Sequence, residues 1–367
     1  MSLSAHTPYN HFVNTLSSLT ILTLLVLSPY RTILIISAIS LGYFLIYLRL
    51  YKGFIVKKRT KQFRGKKSAI LITGCSSGIG EACAAHFIKN SQYHILATFR
   101  KQGDVEEFEK NNLHGDKERD LFTPLLLDVT QTDTIEKCMP TIRKVHKNTP
   151  VIALINNAGL QMSTIVENMD IDGHIRRGFD VNVLGVYRMV KAMLPLLRES
   201  KQLLGRARII TLSSMAGMIA LPTATAYSSS KWAAQAISQG LRIELARFGI
   251  ETCTINPGSI RTNFRLNSKA DLERYLNSAT PEMKNKLYPE YYKLWQDKYN
   301  KYFKEGEGYE DGKGISVERA VALVEETVET SHLQQSYFLG SEGTLVSVLS
   351  ILPQVVTDWA LRKTYKV

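Results

Sequence analysis

The chain has 367 residues, a formal net charge of +13 and 44% hydrophobic residues, enough for one large α/β domain with appendages or for two domains. Its four cysteines (Cys75, Cys83, Cys138 and Cys253) form no Cys-x-x-Cys pair, and no His cluster has ligand spacing, which argues against a disulfide framework and against a zinc site; no metal is expected. The charge does not indicate a nucleic-acid surface, because residues 1–67 hold ten Lys/Arg and no Asp or Glu, whereas a nucleic-acid-binding domain carries its charge on a folded face.

That uneven charge belongs to an apolar head. Residues 12–27 ("FVNTLSSLTILTLLVL") and 32–48 ("TILIISAISLGYFLIYL") are apolar and separated by "SPYR". Each as a helix would span about 24–26 Å, short of the roughly 30 Å hydrocarbon core. The head is therefore one long span kinked at Pro29 or a helical hairpin, with a buried helix pair as the alternative to a membrane. A cleaved signal peptide fits poorly, since residues 1–11 hold no Lys or Arg. Nine of the ten cations follow in 49–67. The positive-inside rule puts that collar and everything after it on the cytosolic side. The division expected is 1–51 as membrane segment, 52–67 as basic linker, 68–343 as catalytic domain and 344–367 as an apolar tail. An endoplasmic reticulum membrane is the expected location, a mitochondrial membrane the second choice.

The domain begins with "SAILITGCSSGIGEACAAHF". Ala69–Thr73 reads as a buried strand, Gly74, Gly78 and Gly80 as a turn, and Ile79–Phe87 as a helix. Strand, glycine turn, helix is the context of a phosphate-binding loop: glycines let the backbone approach a pyrophosphate, and the helix N-terminus aims free N–H groups at it. The next strand, "YHILATFR", ends at Arg100, followed by Lys101. A carboxylate at that place binds a ribose 2′-hydroxyl, whereas an arginine accommodates a 2′-phosphate. NADP(H) is thus favoured, with NAD(H) possible. Further strands are expected at 122–129, 151–159, 207–214 and in "IETCTINPG", and helices over "FDVNVLGVYRMVKAMLPLLRES" and "AYSSSKWAAQAISQGLRIELARF". Such alternation argues a parallel sheet covered on both faces.

Three Tyr-x-x-x-Lys pairs occur, at Tyr187/Lys191, Tyr227/Lys231 and Tyr309/Lys313. Residues i and i+4 share a helix face, so spacing alone does not choose among them.

Together these pieces resemble the short-chain dehydrogenase/reductase family, through "TGCSSGIG", "LDV", "NNAG", "NVLG", "SSMAG", "YSSSK" and "NPGSIRT" in the family's order. The resemblance implies a Rossmann-type, doubly wound α/β sheet of about seven strands. It selects Tyr227/Lys231, because the family's catalytic serine stands thirteen residues before its tyrosine, and that position is Ser214. Tyr227 is then the general acid/base, Ser214 fixes the substrate oxygen, and Lys231 lowers the phenol pKa and holds the nicotinamide ribose. Asn182 matches the position that holds a water in the family's proton relay. Thr73, Gly74, Ser76, Ser77, Gly78, Ile79 and Gly80 match the phosphate loop, and Asp128 and Val129 the adenine contacts. Asn156, Ala158 and Gly159 match the run beside the cofactor, and Pro257, Gly258, Ile260 and Thr262 the nicotinamide-side loop. The segments around the cofactor look like the retinol and 17β-hydroxysteroid dehydrogenase branch, implying a lipophilic alcohol or ketone: a steroid, retinoid or keto-lipid. A homodimer is plausible by analogy, with Ala233, Ala234 and Ala236 permitting close helix packing. The competing reading is an idle cofactor-binding scaffold at a membrane.

The insert 263–315 is where substrate information is expected. In "LYPEYYKLWQDKYNKYF" an aromatic stripe recurs at Tyr288, Tyr291, Trp295, Tyr299 and Tyr302. Such a stripe is core packing or, under the resemblance, a wall over a lipophilic ligand. Residues 344–356 ("TLVSVLSILPQVV") are too short to span a bilayer, and either dip into its surface, finish the core or line the pocket.

Overall fold

In the computed structural model, the residues described are 36–37, 40–43, 67–90, 93–261, 273, 276–300, 314–340, 346, 349–350 and 352–365. The chain divides into two compact units, Met1–Thr60 and Lys61–Val367. In the first, the described residues 36–37 and 40–43 are helical, and the remainder of both apolar runs and the collar to residue 66 lie outside the described residues. Among the described residues no helix is long and apolar enough to cross a membrane.

The second unit is built on seven parallel strands in the order β3-β2-β1-β4-β5-β6-β7. These are β1 (Ser68–Ile72), β2 (Tyr93–Phe99), β3 (Phe122–Leu126), β4 (Val151–Asn156), β5 (Arg208–Leu212), β6 (Glu251–Pro257) and β7 (Ser336–Leu339). Every residue of β1, β4 and β5 is buried, as a sheet covered on both faces requires. Among the described residues, the α-helices of five residues or more are α1 (Gly78–Asn90), α2 (Gln102–Asn112), α3 (Asp116–Asp120), α4 (Thr132–Asn148), α5 (Gly185–Leu204), α6 (Thr225–Glu244), α7 (Pro289–Tyr299), α8 (Val317–Glu329) and α9 (Gln354–Tyr365). Alternate strand residues face opposite ways. Ile70, Ile72, Ile95 and Ile155 pack under α1, α2 and α8, whereas Ala69, Leu71, Leu96 and Leu154 pack under α4, α5 and α6.

Strand order reverses between β1 and β4, and a crevice opens there at the carboxyl ends of the strands, the place where doubly wound sheets bind ligands. The helical run expected from Phe179 is divided: Asp180–Leu184 winds as a π-helical turn before α5 begins. Seven strands are present as expected, the seventh being the short "SYFL" of β7.

Of the insert 263–315, residues 273, 276–300, 314 and 315 are described. The described members of its aromatic stripe, Tyr288, Tyr291 and Trp295, pack in a cluster of their own and are not among the described residues that line the crevice. Tyr292 and Trp295 are buried with Ala279, Met283 and Ile165, the last from the loop after β4, and their rings meet edge to face with centroids 5.2 Å apart. Tyr288 Oη donates to Glu167 at 2.8 Å, and Asn168 Nδ2 donates to Ser278 Oγ at 3.0 Å. The insert is thereby hooked to the 160–170 loop. Tyr302 and the side chain of Tyr299 lie outside the described residues.

Candidate active site

The crevice is lined at one end by the loop between β1 and α1: Gly74, Ser76, Ser77, Gly78 and Ile79. Gly74 and Gly78 have φ of +72° and +66°, the left-handed region that glycine enters without a Cβ penalty. Gly80 does not face the crevice. A Cβ there would strike the Gly74 carbonyl oxygen and Asn157 Nδ2, so its role is to let α1 begin tight against the loop. Thr73 also lies behind the wall. Its Oγ1 accepts from the backbone N–H of Asn157 and of Ala158, each at 3.0 Å, which ties the ends of β1 and β4 together. Thr98 Oγ1 accepts from Gly74 N–H at 3.0 Å, fixing the loop to β2.

The next part of the wall comes from the ends of β2 and β3. Arg100 lines the crevice and is exposed, so its guanidinium is free to meet an anion from solvent. Asp128 and Val129 line it as well. Asp128 Oδ1 accepts from both Thr130 N–H and Thr130 Oγ1, at 2.9 and 2.8 Å, which holds the turn after β3 open toward the crevice. Ala158 and Gly159 follow from the end of β4. Asn156 does not line the crevice; it is buried, and Asn157 is at the wall instead. Asn157 Nδ2 donates to the carbonyls of Thr73 and Gly74, at 2.9 and 3.0 Å. Of two consecutive asparagines at a strand end only one can face the opening, and the second does so here.

Ser214, Tyr227 and Lys231 converge on the far wall. Ser214 caps the short turn after β5, accepting from Ala216 N–H at 3.1 Å, which fixes its hydroxyl at the crevice. Lys231 is buried one turn along α6 from Tyr227, with Nζ 5.7 Å from the phenol ring centre. Its ammonium donates to the Leu212 carbonyl at 2.9 Å. Gly217 allows this approach, since a Cβ there would lie 2.8 Å from the Lys231 carbonyl oxygen.

Burial decides the electrostatics. It pushes the Lys231 amine down to about 8, because the charged form loses its water. It pushes the Tyr227 phenol up to about 12, with the Ser214 hydroxyl beside it pulling the other way. Burial thus sets the direction for the phenol, and among the protein groups the Ser214 hydroxyl is the one that opposes it.

Asn182 stands behind this wall rather than in it. Its Oδ1 accepts from Leu160 N–H at 2.7 Å, and its Nδ2 donates to the Leu160 carbonyl at 2.9 Å and to Ser230 Oγ at 3.0 Å. It staples the loop after β4 to α6. Pro257, Gly258 and Ile260 complete the wall from the end of β6, while Thr262 lies outside the described residues. Leu127 and Ser213, which stand inside "LDV" and "SSMAG" but carried no assigned role, also line it, as do Thr98, Phe99, Leu160, Val181 and Leu212; the last five lie outside the motifs, and the signal that could find them is adjacency to a motif or to Arg100 at a strand end.

The remaining Tyr/Lys pairs separate cleanly. Tyr187 and Lys191 are both exposed on α5, away from the crevice lining. Tyr309 and Lys313 lie outside the described residues.

A family model described as short chain dehydrogenase matches residues 68–273, more than half of the chain. An NADPH-dependent 3-dehydrocapnine reductase from Ornithobacterium rhinotracheale is 33% identical over 192 residues, which is 52% of this chain and 65% of that one, just under two thirds of its length. A 3beta-hydroxysteroid dehydrogenase, dhs-16, from Caenorhabditis elegans is 26% identical over 329 residues, covering 86% of this chain and 79% of that one. Among solved structures, a short chain dehydrogenase from Burkholderia cenocepacia in complex with NADP superimposes with a TM-score of 0.59 at 19% identity, covering 82% of this chain and 99% of that one. That likeness establishes the fold.

Proposed function

Because the chain belongs to the short-chain dehydrogenase family, we propose that it is a nicotinamide-dependent oxidoreductase, NADP(H) being favoured, that interconverts a lipophilic alcohol and its carbonyl compound. The observation that carries the reading is the convergence of Ser214, Tyr227 and Lys231 on one wall of a crevice whose other end is the glycine loop.

The residues present fit a dinucleotide. The left-handed Gly74 and Gly78 and the start of α1 make a cradle for a diphosphate. Arg100 follows β2, at the position that accommodates a 2′-phosphate, and no Asp or Glu lies between it and Asp104. The cofactor supplies the hydride when bound; the chain supplies orientation and the proton. Ser214 donates a hydrogen bond to the substrate oxygen and fixes it beside the phenol. In reduction Tyr227 Oη gives its proton to that oxygen; in oxidation it takes the proton back. A phenol held near 12 keeps its proton, which suits the acid role. For the base role the phenolate has to be stabilised, and the Lys231 ammonium, still protonated at neutral pH, is the positive charge placed beside the ring to do so. Asn182 acts by positioning: it holds the loop after β4 against α6, behind Lys231.

Several observations support a lipophilic substrate met at a membrane. The head 1–51 is apolar and its collar basic, the insert is hooked over the 160–170 loop through Tyr288 and Asn168, and the relative matched over most of its length is named for a hydroxysteroid. The collar favours a cytosolic catalytic domain on the endoplasmic reticulum. Exposed Tyr187 and Trp232 on α5 and α6 suit pairing with a second copy. The test is a screen of steroid, retinoid and long-chain keto-lipid carbonyls with NADPH and NADH in turn. Turnover of one lipophilic class with NADPH supports the reading; turnover confined to small polar carbonyls would refute the substrate class.

A further inference from the structure

Helix α9 wears its apolar side outward. Leu352 just before it, then Val355, Val356 and Trp359, recur at i, i+3, i+4 and i+7, the spacing of one helix face. All four are exposed, Val355 at 77% and Trp359 at 64%. The half-buried residues of the helix, Thr357, Ala360 and Leu361, lie on the other side, and they include no large side chain besides the leucine. A helix that served only to cover its own domain would have the reverse arrangement.

The charge on this face has one sign at one end. Arg362 and Lys363 are exposed in the last turn, where the helix dipole favours cations, and Lys363 Nζ lies 5.4 Å from the centre of the Trp359 ring. Asp358, also exposed, stands on the flank of the stripe rather than within it. Branched aliphatics, then an indole, then cations is the order of groups met on passing from acyl chains to headgroups: the indole prefers the interface, and long cations reach the phosphates.

We propose that α9 lies flat on an anionic lipid surface, with Leu352, Val355, Val356 and Trp359 dipped among the acyl chains and Arg362 and Lys363 paired with headgroup phosphates. The occupant is argued from charge. The cations beside the stripe and the nine in residues 49–67 have the same sign, so each cluster by itself calls for an anionic surface, whereas a protein partner of acidic character would leave the indole-centred stripe unmatched. This goes beyond the attachment proposed for the head and does not depend on its topology.

All four native cysteines are buried, so a Val355→Cys change gives the full chain one reactive thiol for an environment-sensitive NBD label. The full chain is reconstituted with phosphatidylcholine vesicles with or without phosphatidylglycerol, some carrying acyl chains brominated near the headgroup. The label at 355 should shift to the blue and be quenched by brominated lipid, at least about two-fold more with phosphatidylglycerol than without it at low salt. A label at Gln354→Cys, on the flank away from the stripe, should be quenched less. Adding Val356→Glu and Trp359→Glu should return the label at 355 to water. If the vesicles carry the chain but the label is quenched by aqueous iodide, α9 does not touch lipid and the proposal fails while the head attachment stands. If the label is shielded from both iodide and brominated lipid, the stripe is covered by protein, either residues 12–48 or a second copy, and the proposal is equally wrong. Flotation that depends on phosphatidylglycerol and is lost in the glutamate variant would mean α9 alone holds the membrane, and the head reading fails instead. No flotation under any condition would overturn both.

Discussion

Replacing Lys231 by methionine should make the chain, without added cofactor, more stable at neutral pH and destroy its activity. The amine is buried and held down to about 8 from an ordinary value of 10.5. Below pH 8 the folded chain carries a charge that burial disfavours by about 3 kcal/mol. Methionine removes that penalty but also the hydrogen bond to the Leu212 carbonyl, leaving that oxygen unpaired at a cost of about 1–3 kcal/mol. The net gain expected at pH 7 is up to about 2 kcal/mol, a rise in midpoint of up to roughly 5 °C. The sign of the pH dependence follows from the lowered pKa. Between about 8 and 10.5 the unfolded chain binds more protons at this residue than the folded one, so the native lysine becomes less costly as pH rises. The gap between variant and native chain should therefore shrink, and then reverse, by about 2 kcal/mol between pH 7 and pH 10. Thermal unfolding of both chains in the same detergent at the two pH values reads this, since groups common to both cancel in the difference. A variant less stable than the native chain by the same margin at both pH values would refute the assignment of Lys231 as a destabilised, buried cation. The same cost explains why a lysine belongs there: it is retained against stability, as expected of a residue kept for chemistry.

Two further outcomes bear on the cofactor and the head. Arg100→Asp should weaken NADPH binding by at least about ten-fold and leave NADH binding nearly unchanged, because a carboxylate repels a 2′-phosphate and accepts from a free 2′-hydroxyl; equal loss in titrations with both would show that Arg100 does not read the phosphate. Removing residues 1–67 should leave turnover of a small water-soluble carbonyl intact, since β1 begins at Ser68, while turnover of membrane-dissolved substrate falls. In intact microsomes added protease should digest the domain, and protection until detergent is added would overturn the cytosolic placement.

How much of this was legible before folding depended on the kind of signal. Backbone devices read well: the loop glycines announce a left-handed turn, and two of them, Gly74 and Gly78, adopt it. The proposed catalytic pair was chosen by a long-range relation, the position of Ser214, and the structure brings Tyr227 and Lys231 to the crevice while Tyr187 and Lys191 are exposed on α5. Side-chain direction read less well. Asn156 and Asn157 are chemically identical, and only the pleat at the end of β4 decides which one faces the crevice. β7 is four residues long and carries no motif, so its place at the sheet edge depends on pairing with β6. Arg208 sits within a buried strand and looks out of place in sequence. Its guanidinium donates to the carbonyls of Thr327 and Thr330 at 2.7 and 2.6 Å, satisfying groups at the end of α8 that no helix bond can reach. In the insert, helical spacing found Trp295 but passed over Tyr292, which the fold buries beside it. The pKa of Tyr227 could not be read from spacing at all, because it depends on how deeply the phenol is buried.

The central claim is that Tyr227 carries the proton in a hydride-transfer reaction. It is tested most directly by Tyr227→Phe in the full chain, with NADPH oxidation measured against the carbonyl substrate found in the screen and NADPH binding measured separately. The change keeps the ring and removes only the transferable proton. The account predicts a fall in kcat of at least about a hundred-fold, within the range assigned to general acid–base catalysis, with cofactor affinity essentially retained and Tyr187→Phe fully active. Turnover by Tyr227→Phe at the native rate would contradict it, and so would loss of turnover in a folded Tyr187→Phe chain.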